Sequence, residues 1–103
     1  MADPTANASC LHLVVRSSAE ALENCLSQCA AEDEVVFVDD GVMHLSKSLQ
    51  SGAGPGPAES FYSAEDLDAR GLLPAARAAG AATVRDSDIV ALLRKHDFCL
   101  TWK

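Results

Sequence analysis

The sequence predicts an α/β fold: a single domain of three layers, with helices on both faces of a mostly parallel sheet. Its length of 103 residues matches one domain of common size. Hydrophobic residues make up 49% and charged residues 22% of the chain, which is enough apolar material for a packed core. Strand-like apolar segments alternate with helical segments that begin at capping residues, the order typical of parallel βαβ units.

The first strand and helix are predicted between residues 11 and 29. Leu11–Val15 is a short apolar run with β-branched residues, which favours a strand. Ser17, with Glu20 three residues later, has the spacing of a capping box and predicts the start of a helix. This helix carries an apolar stripe at i, i+3, i+4 and i+7. The stripe consists of Leu22, Cys25, Leu26 and Cys29.

The second strand is the most apolar segment of the chain. Val35–Val38 is apolar on both faces, as expected for a strand in the middle of a parallel sheet. Residues 39–41 are predicted to form a turn, and Val42–Leu49 a second helix. Ser51–Pro57 is rich in glycine and proline, which predicts a flexible loop too short to separate two domains.

Weaker patterns follow in the next part of the chain. Ser60–Tyr62 is a weak third strand. Ser63, followed by acidic residues, is a second capping signature and predicts a short helix that Gly71 ends. Residues 75–82 are rich in alanine and do not indicate one type of element.

The last part of the chain predicts a strand, a helix and a strand. Thr83–Arg85 is a brief strand, and Asp86 or Ser87 caps the following helix. Basic residues 94–96 suit the negative end of that helix. Phe98–Trp102 is the final strand. The apolar residues of the last helix are Ile89, Val90, Leu92 and Leu93.

Charge and composition exclude several classes of function. Eight basic residues against 15 acidic ones give a net charge of −7, which argues against direct binding to nucleic acid or to an anionic membrane. No apolar stretch approaches the ~20 residues that span a bilayer. Residues 1–9 contain neither a cationic start nor an apolar run, so we expect no secretory signal and a cytoplasmic protein with reduced cysteines.

Known cofactor motifs do not occur in the sequence. It contains no G-x-G-x-x-G after a strand, no phosphate-binding G-x-x-x-x-G-K-[ST] and no G-x-S-x-G elbow, so we predict no cofactor. The four cysteines form no C-x-x-C pair, which excludes a zinc knuckle. Cys25 and Cys29 have an i, i+4 spacing, but we predict no metal site there.

The carboxyl edge of the sheet is the usual place for a site in such a fold. Arg16, Ser17, Asp39, Asp40 and Ser63 are expected near that edge. The two adjacent aspartates would point in different directions, so we favour turn and capping roles over a catalytic pair.

The three histidines and Cys25 each have a structural and a chemical interpretation. His12 is expected at the opposite edge of the sheet, where a structural or interface role is favoured over catalysis. His44 and His96 are predicted to be helix-surface residues without chemistry. Cys25 is the sharpest catalytic candidate, because a persulfide carrier needs a single accessible thiolate. Its place on the apolar stripe favours core packing instead.

Four segments together resemble the TusB/DsrH family, the small subunits of bacterial sulfur-relay complexes. They are an opening L-H-x-x-x-R-S, a D-G-V after the second strand, an E-D-L-x-A-R-G-L and a near-terminal tryptophan. The resemblance covers residues 11–102 in consistent order, and the third motif is the most specific. The matched residues singled out as structural or interface positions are His12, Arg16, Ser17, Asp40, Gly41, Glu65, Asp66, Arg70, Gly71 and Trp102.

The resemblance implies a DsrEFH-like α/β domain over residues 11–103, with residues 1–10 as a flexible extension. It implies a hexamer with two homologous partners, a TusC/DsrF-like and a TusD/DsrE-like subunit. This complex would take persulfide sulfur from a TusA-like donor and pass it to a TusE- or DsrC-like acceptor. In the Tus branch the sulfur ends in 2-thiouridine of tRNA, and in the Dsr branch it serves sulfur oxidation.

The leading hypothesis is therefore a non-catalytic subunit of a sulfur-relay complex that serves tRNA thiolation. Sulfur oxidation is the alternative within the family. Cys25 resembles a cysteine of DsrH proteins, so a sulfurtransferase that uses Cys25 itself is a second hypothesis, although the better-established sulfur-carrying cysteine of the family lies in the TusD/DsrE subunit. A stand-alone binding module without a sulfur role is the third hypothesis.

Overall fold

A computed structural model describes residues 8–51 and 58–103, without the side chains of residues 49–51. Five strands form one all-parallel sheet in the order β4-β3-β2-β1-β5, which confirms the predicted fold class. The elements are β1 Cys10–Val14, α1 Ala19–Gln28, β2 Glu34–Phe37, a 3-10 helix Asp39–His44, α2 Leu45–Ser51, β3 Glu59–Ser63, α3 Ala64–Ala69, α4 Leu73–Ala78, β4 Thr83–Val84, α5 Asp86–Lys95 and β5 Phe98–Trp102.

β1 and β2 lie in the interior of the sheet, as predicted. Each of β1 and β2 has a parallel neighbour on both sides, and all four residues of β2 are buried. A parallel strand covered on both faces needs apolar side chains pointing in both directions. This requirement explains why Val35, Val36 and Phe37 follow one another in the sequence without polar alternation.

Helices cover the two faces of the sheet unequally. On one face, Val14, Val35 and Phe37 pack with residues of α1, α2, α3 and α4. On the other face, Leu11, Val36 and Val84 meet only Ile89 and Leu92 of α5 among the described helices. No residue of α5 is buried. The layer formed by α5 is therefore thin.

The starts of α1 and of the second predicted helix differ from the sequence prediction by one residue or more. Ser18, not Ser17, is the N-cap of α1, and its hydroxyl accepts a hydrogen bond from the Ala21 N–H at 3.3 Å. The capping box with Glu20 is therefore wrong, because adjacent serines offer the same chemistry one position apart. The predicted helix Val42–Leu49 is instead a 3-10 helix that continues into α2.

The ends of the later helices follow local backbone chemistry. The Ser63 hydroxyl accepts from the Asp66 N–H at 3.3 Å, and Gly71, with φ of +70°, follows α3, as predicted. The cap of α5 is Arg85 and not Asp86 or Ser87. Its N–H donates to the Asp88 carboxylate at 2.9 Å, which closes the first turn from within the helix.

The beginning of the chain and the glycine-rich loop lie partly beyond the described ranges. The predicted extension falls outside them for residues 1–7, and the predicted loop for residues 52–57. Cys10 already belongs to β1. The Ser9 N–H donates to the Asp97 carboxylate at 3.0 Å, so Ser9 is attached to the folded domain. Within residues 8–51 and 58–103, no helix has the length and apolar character needed to cross a membrane.

Candidate functional site

Arg70, at the end of α3, binds the start of the 3-10 helix at the carboxyl edge of the sheet. Its Nη2 donates to Asp39 Oδ1 and to Asp40 Oδ1, both at 2.8 Å. Its Nη1 donates to the carbonyl of Asp66 at 3.1 Å. The hydrogen bond to Asp40 and the neighbouring Asp39 raise the pKa of Arg70. Both carboxylates are thus bound to one guanidinium, which supports the turn role and not a catalytic pair.

Close contacts at the same edge of the sheet account for the presence of Gly41 and Asp66. Asp66 Oδ2 accepts from the backbone N–H of Asp39 at 2.7 Å and thereby holds that residue at a positive φ of 52°. A Cβ at Gly41 would lie 1.9 Å from the carbonyl oxygen of Val14. The D-G and E-D-L-x-A-R-G-L segments, far apart in sequence, therefore form one structural unit here. Glu65 lies exposed in the first turn of α3.

Arg16 and Ser17 follow β1 at this edge, and both are exposed. The carbonyl of Arg16 accepts a hydrogen bond from His44 Nε2 at 2.9 Å. His44 is buried, so its prediction as a surface residue is wrong. Burial lowers the pKa of His44, although the hydrogen bond to Arg16 opposes this effect. His44 thus serves as a neutral internal donor that holds the β1–α1 loop.

A second polar cluster surrounds His12 in the middle of β1. His12 is buried, its Nε2 lies 2.9 Å from Asp33 Oδ2, and its Nδ1 lies 2.9 Å from Trp102 Nε1. An indole N–H can only donate, so Nδ1 is the acceptor and the ring proton is on Nε2. Asp33 also accepts from the N–H groups of Cys10 and Ala30, both at 3.0 Å. His12 therefore lies in the middle of the strand and not at the edge of the sheet where it was expected, and its ring joins Asp33 to Trp102.

Hydrogen bonds from its neighbours keep the carboxylate of Asp33 ionised, although it lies beside the core. Burial raises its pKa, but the hydrogen bonds from His12, Ala30 and Cys10 outweigh burial, and the pKa lies below its ordinary value. The sequence pattern indicates residues 32–34 only as a break between elements. Acidic residues directly before the apolar run Val35–Val38 were the available signal for a buried carboxylate.

Cys25 and Cys29 lie next to this cluster. Their Sγ atoms are 3.8 Å apart. Cys25 is fully buried in the core and Cys29 is half-buried, as expected from the apolar stripe. Burial raises the pKa of both thiols, and that of Cys25 rises far above its ordinary value. One ligand atom each of His12, Cys25 and Cys29 lies within 4.8 Å of the others, a proximity that the i, i+4 spacing alone did not reveal.

His96 belongs to a third buried cluster, so its prediction as a surface residue is wrong. Its Nε2 lies 2.7 Å from Glu34 Oε1, and its Nδ1 lies 2.9 Å from the Ser9 hydroxyl. Lys95 Nζ also donates to Glu34 Oε1, at 2.7 Å. Burial raises the pKa of Glu34, but these hydrogen bonds lower it overall. The cluster joins the start of β2 to the end of α5.

Large apolar side chains are exposed around the C-terminal part of the fold. The edge strand β5 exposes Phe98 by 55% and Leu100 by 46%, and α5 exposes Val90 by 48% and Leu93 by 43%. Phe98 and Leu100 pair with Cys10 and His12, so both lie on the sheet face that α1 covers, opposite α5. We call Phe98 and Leu100 the C-terminal apolar surface. Exposed apolar patches of this kind are typical of interaction sites.

Comparison with known proteins places this geometry in a family. The family model described as DsrH like protein matches residues 16–98. The solution NMR structure of protein Tm0979 from Thermotoga maritima is similar in fold, with a TM-score of 0.59 and 21% sequence identity. That alignment covers 82% of this chain and 92% of Tm0979. No curated protein matches the chain. The matched segment contains Arg70 with its two aspartates, the thiols of Cys25 and Cys29 and three of the five described strands, and the chain belongs to the DsrH-like family.

Proposed function

We propose that this chain is a non-catalytic subunit of a cytoplasmic sulfur-relay complex that passes persulfide sulfur toward 2-thiolation of the wobble uridine in tRNA. Membership of the DsrH-like family supports a role as a sulfur-relay subunit in general. The observation that carries the non-catalytic role is the burial of Cys25, whose side chain is fully enclosed.

Burial makes Cys25 a poor sulfur carrier for two reasons. A carrier thiol must be ionised to attack a persulfide, and it must be reachable by the thiol of the partner. Burial raises the pKa of Cys25 far above its ordinary value and leaves little thiolate. The helix and sheet that enclose it also exclude a partner protein. The proposal therefore assigns the transferred sulfur to a cysteine of a sister subunit.

The C-terminal apolar surface supports a partner-binding role. It lies on an edge strand, whose outer side faces no further strand of the described sheet. Unpaired edges and exposed apolar side chains are unfavourable in an isolated subunit. We assign this surface to the homologous TusC/DsrF-like and TusD/DsrE-like subunits of a hexamer, which exchanges sulfur with a TusA-like donor and a TusE/DsrC-like acceptor.

The assembly is tested by co-expressing the chain with its two sister subunits and measuring the mass of the purified complex by light scattering. We expect one complex containing all three chains. Leu100→Asp should abolish co-elution, because it places a charge in the apolar surface. Ala69→Asp, an exposed position on α3 remote from that surface, is the matched control and should co-elute normally. Failure of the unaltered chain to co-elute with either subunit contradicts the proposal.

The tRNA endpoint is tested separately in a bacterial host that lacks its own copy of this subunit. Mass spectrometry of hydrolysed tRNA measures 2-thiouridine after expression of the complex. We expect 2-thiouridine to be restored. A complex that assembles and carries persulfide but restores no 2-thiouridine would support the sulfur-oxidation branch instead. These two outcomes differ only in the acceptor of the sulfur.

A further inference from the structure

We propose that His12, Cys25 and Cys29 form a binding site for a thiophilic divalent cation, with Zn²⁺ as the best-matched ion. Two thiols and one imidazole converge from two different elements, since the cysteines belong to α1 and its end whereas His12 lies on β1. One donor atom from each lies within 4.8 Å of the other two. This inference is independent of the sulfur-relay function.

The donor set matches zinc chemistry. Thiolate sulfur and imidazole nitrogen are the preferred zinc ligands, and a site with two cysteines and one histidine leaves a fourth tetrahedral position open. Binding of Zn²⁺ to two thiols releases two protons and leaves two thiolates. With neutral His12, the metal and its three ligands then have a net charge of zero. A monovalent thiophilic ion would leave one negative charge buried beside Asp33, which is unfavourable.

Asp33 is placed as the outer partner of such a site. A histidine that binds a metal usually donates its other ring N–H to a carboxylate, which fixes the ring and increases its basicity. His12 already has this arrangement, because its Nε2–H donates to Asp33 Oδ2 at 2.9 Å. The remaining nitrogen, Nδ1, carries the lone pair that a metal would use. Asp33 is a positioning residue in this proposal.

Metal binding at Nδ1 has a visible consequence at Trp102. The Trp102 indole N–H now donates to Nδ1 at 2.9 Å, and a metal would take over that lone pair. Trp102 is the only tryptophan of the chain. Its fluorescence therefore reports on occupation of the site without any activity assay.

The ion would act most strongly on the two thiols, by stabilising their ionised form. Their Sγ atoms are already close to each other, at 3.8 Å. A cation within bonding distance stabilises their thiolates. Cys29 is only half-buried, so it offers a route for the ion from solvent.

The test is a titration of the full chain with Co²⁺ without oxygen, followed by displacement with Zn²⁺. Cys10 and Cys99 are replaced by serine, so that only the two proposed ligands remain as thiols. We expect one Co²⁺ per chain, strong tetrahedral d–d absorption, thiolate-to-cobalt charge transfer and a change in Trp102 fluorescence. Zn²⁺ should remove the cobalt bands at one equivalent.

Two variants distinguish ligands from neighbours. Cys29→Ser should lose half of the charge-transfer intensity, and circular dichroism shows whether the variant is folded. Asp33→Asn retains an acceptor oxygen and should weaken Co²⁺ binding by about 10- to 100-fold. A weak octahedral cobalt spectrum in the Cys10/Cys99 serine variant would overturn the proposal. So would tetrahedral bands that persist unchanged in folded Cys29→Ser.

Discussion

The indole N–H of Trp102 donates to Nδ1 of His12 at 2.9 Å, and the two rings stack with their centres 6.0 Å apart. The bond connects the last strand to its neighbour through side chains, in addition to their parallel backbone pairing. It also fixes the tautomer of His12 and thereby directs the other ring nitrogen to Asp33. One residue near the C-terminus thus orders the centre of the sheet.

Trp102→Phe should destabilise the protein by about 1–3 kcal/mol, because Nδ1 of a buried histidine loses its donor. Phenylalanine keeps an aromatic ring in place, so the loss of packing is small. Urea denaturation measures the free energy of unfolding. Leu93→Ala, at an exposed position of α5, is the control and should change it by less than about 0.5 kcal/mol. Equal stability of wild type and Trp102→Phe would contradict the prediction.

Gly41→Ala should be among the most destabilising single substitutions, costing about 4 kcal/mol or preventing folding. The new Cβ would lie 1.9 Å from the backbone oxygen of Val14, which cannot move without disturbing β1. Gly80→Ala is the comparison, because Gly80 has φ of +72° but open space around its Cβ. It should cost only about 1–2 kcal/mol, from the left-handed backbone alone. Thermal denaturation checks the order, and similar losses for both variants would show that the close approach is unimportant.

The protein should lose stability in acid through Asp33 and Glu34. Both pKa values are lowered in the folded state by hydrogen-bond donors. The stability that these groups contribute is present above their unfolded pKa of about 4 and is lost as the pH falls through the folded values. Urea midpoints from about pH 7 down to about pH 2 measure this dependence. It should flatten in Glu34→Gln and persist in Glu23→Gln, an exposed position on α1.

Cys25→Ser should leave sulfur transfer by the assembled complex within a few-fold of wild type. Its free energy of unfolding should fall by about 1 kcal/mol in the presence of a metal chelator, since a hydroxyl replaces a small buried hydrophobe. Mass spectrometry after incubation with a sulfur donor locates the persulfide. Loading on Cys25, together with loss of relay in the serine variant, would make this chain a sulfurtransferase in its own right.

The strands and the limits of α3 were predictable because their causes are local. Val35–Val38 is apolar at every position, which by itself favours a strand covered on both faces. Ser63 is the N-cap of α3, and its hydrogen-bond partner Asp66 is only three residues later. The buried histidines were not predictable, because their partners are distant in the chain. Glu34 and His96 are 62 residues apart, and no local pattern indicates which carboxylate a histidine will meet.

The same distinction applies to the candidate sites. The turn role of Asp39 and Asp40 followed from their neighbours, whereas their shared guanidinium comes from Arg70, about 30 positions later. Likewise, helix periodicity turned Cys25 and Cys29 toward the sheet. It did not show that the strand residue beneath them would be His12, because that depends on how α1 crosses β1.

The thin layer formed by α5 has a consequence for the dynamics of the chain. Local opening requires little free energy where few apolar contacts are broken. The backbone amides of α5, which contains no buried residue, should therefore exchange with deuterium well before those of β1 and β2. If a sister subunit covers the exposed Val90 and Leu93 of α5, the same amides should exchange more slowly in the assembled complex, whereas those of the central strands remain unchanged.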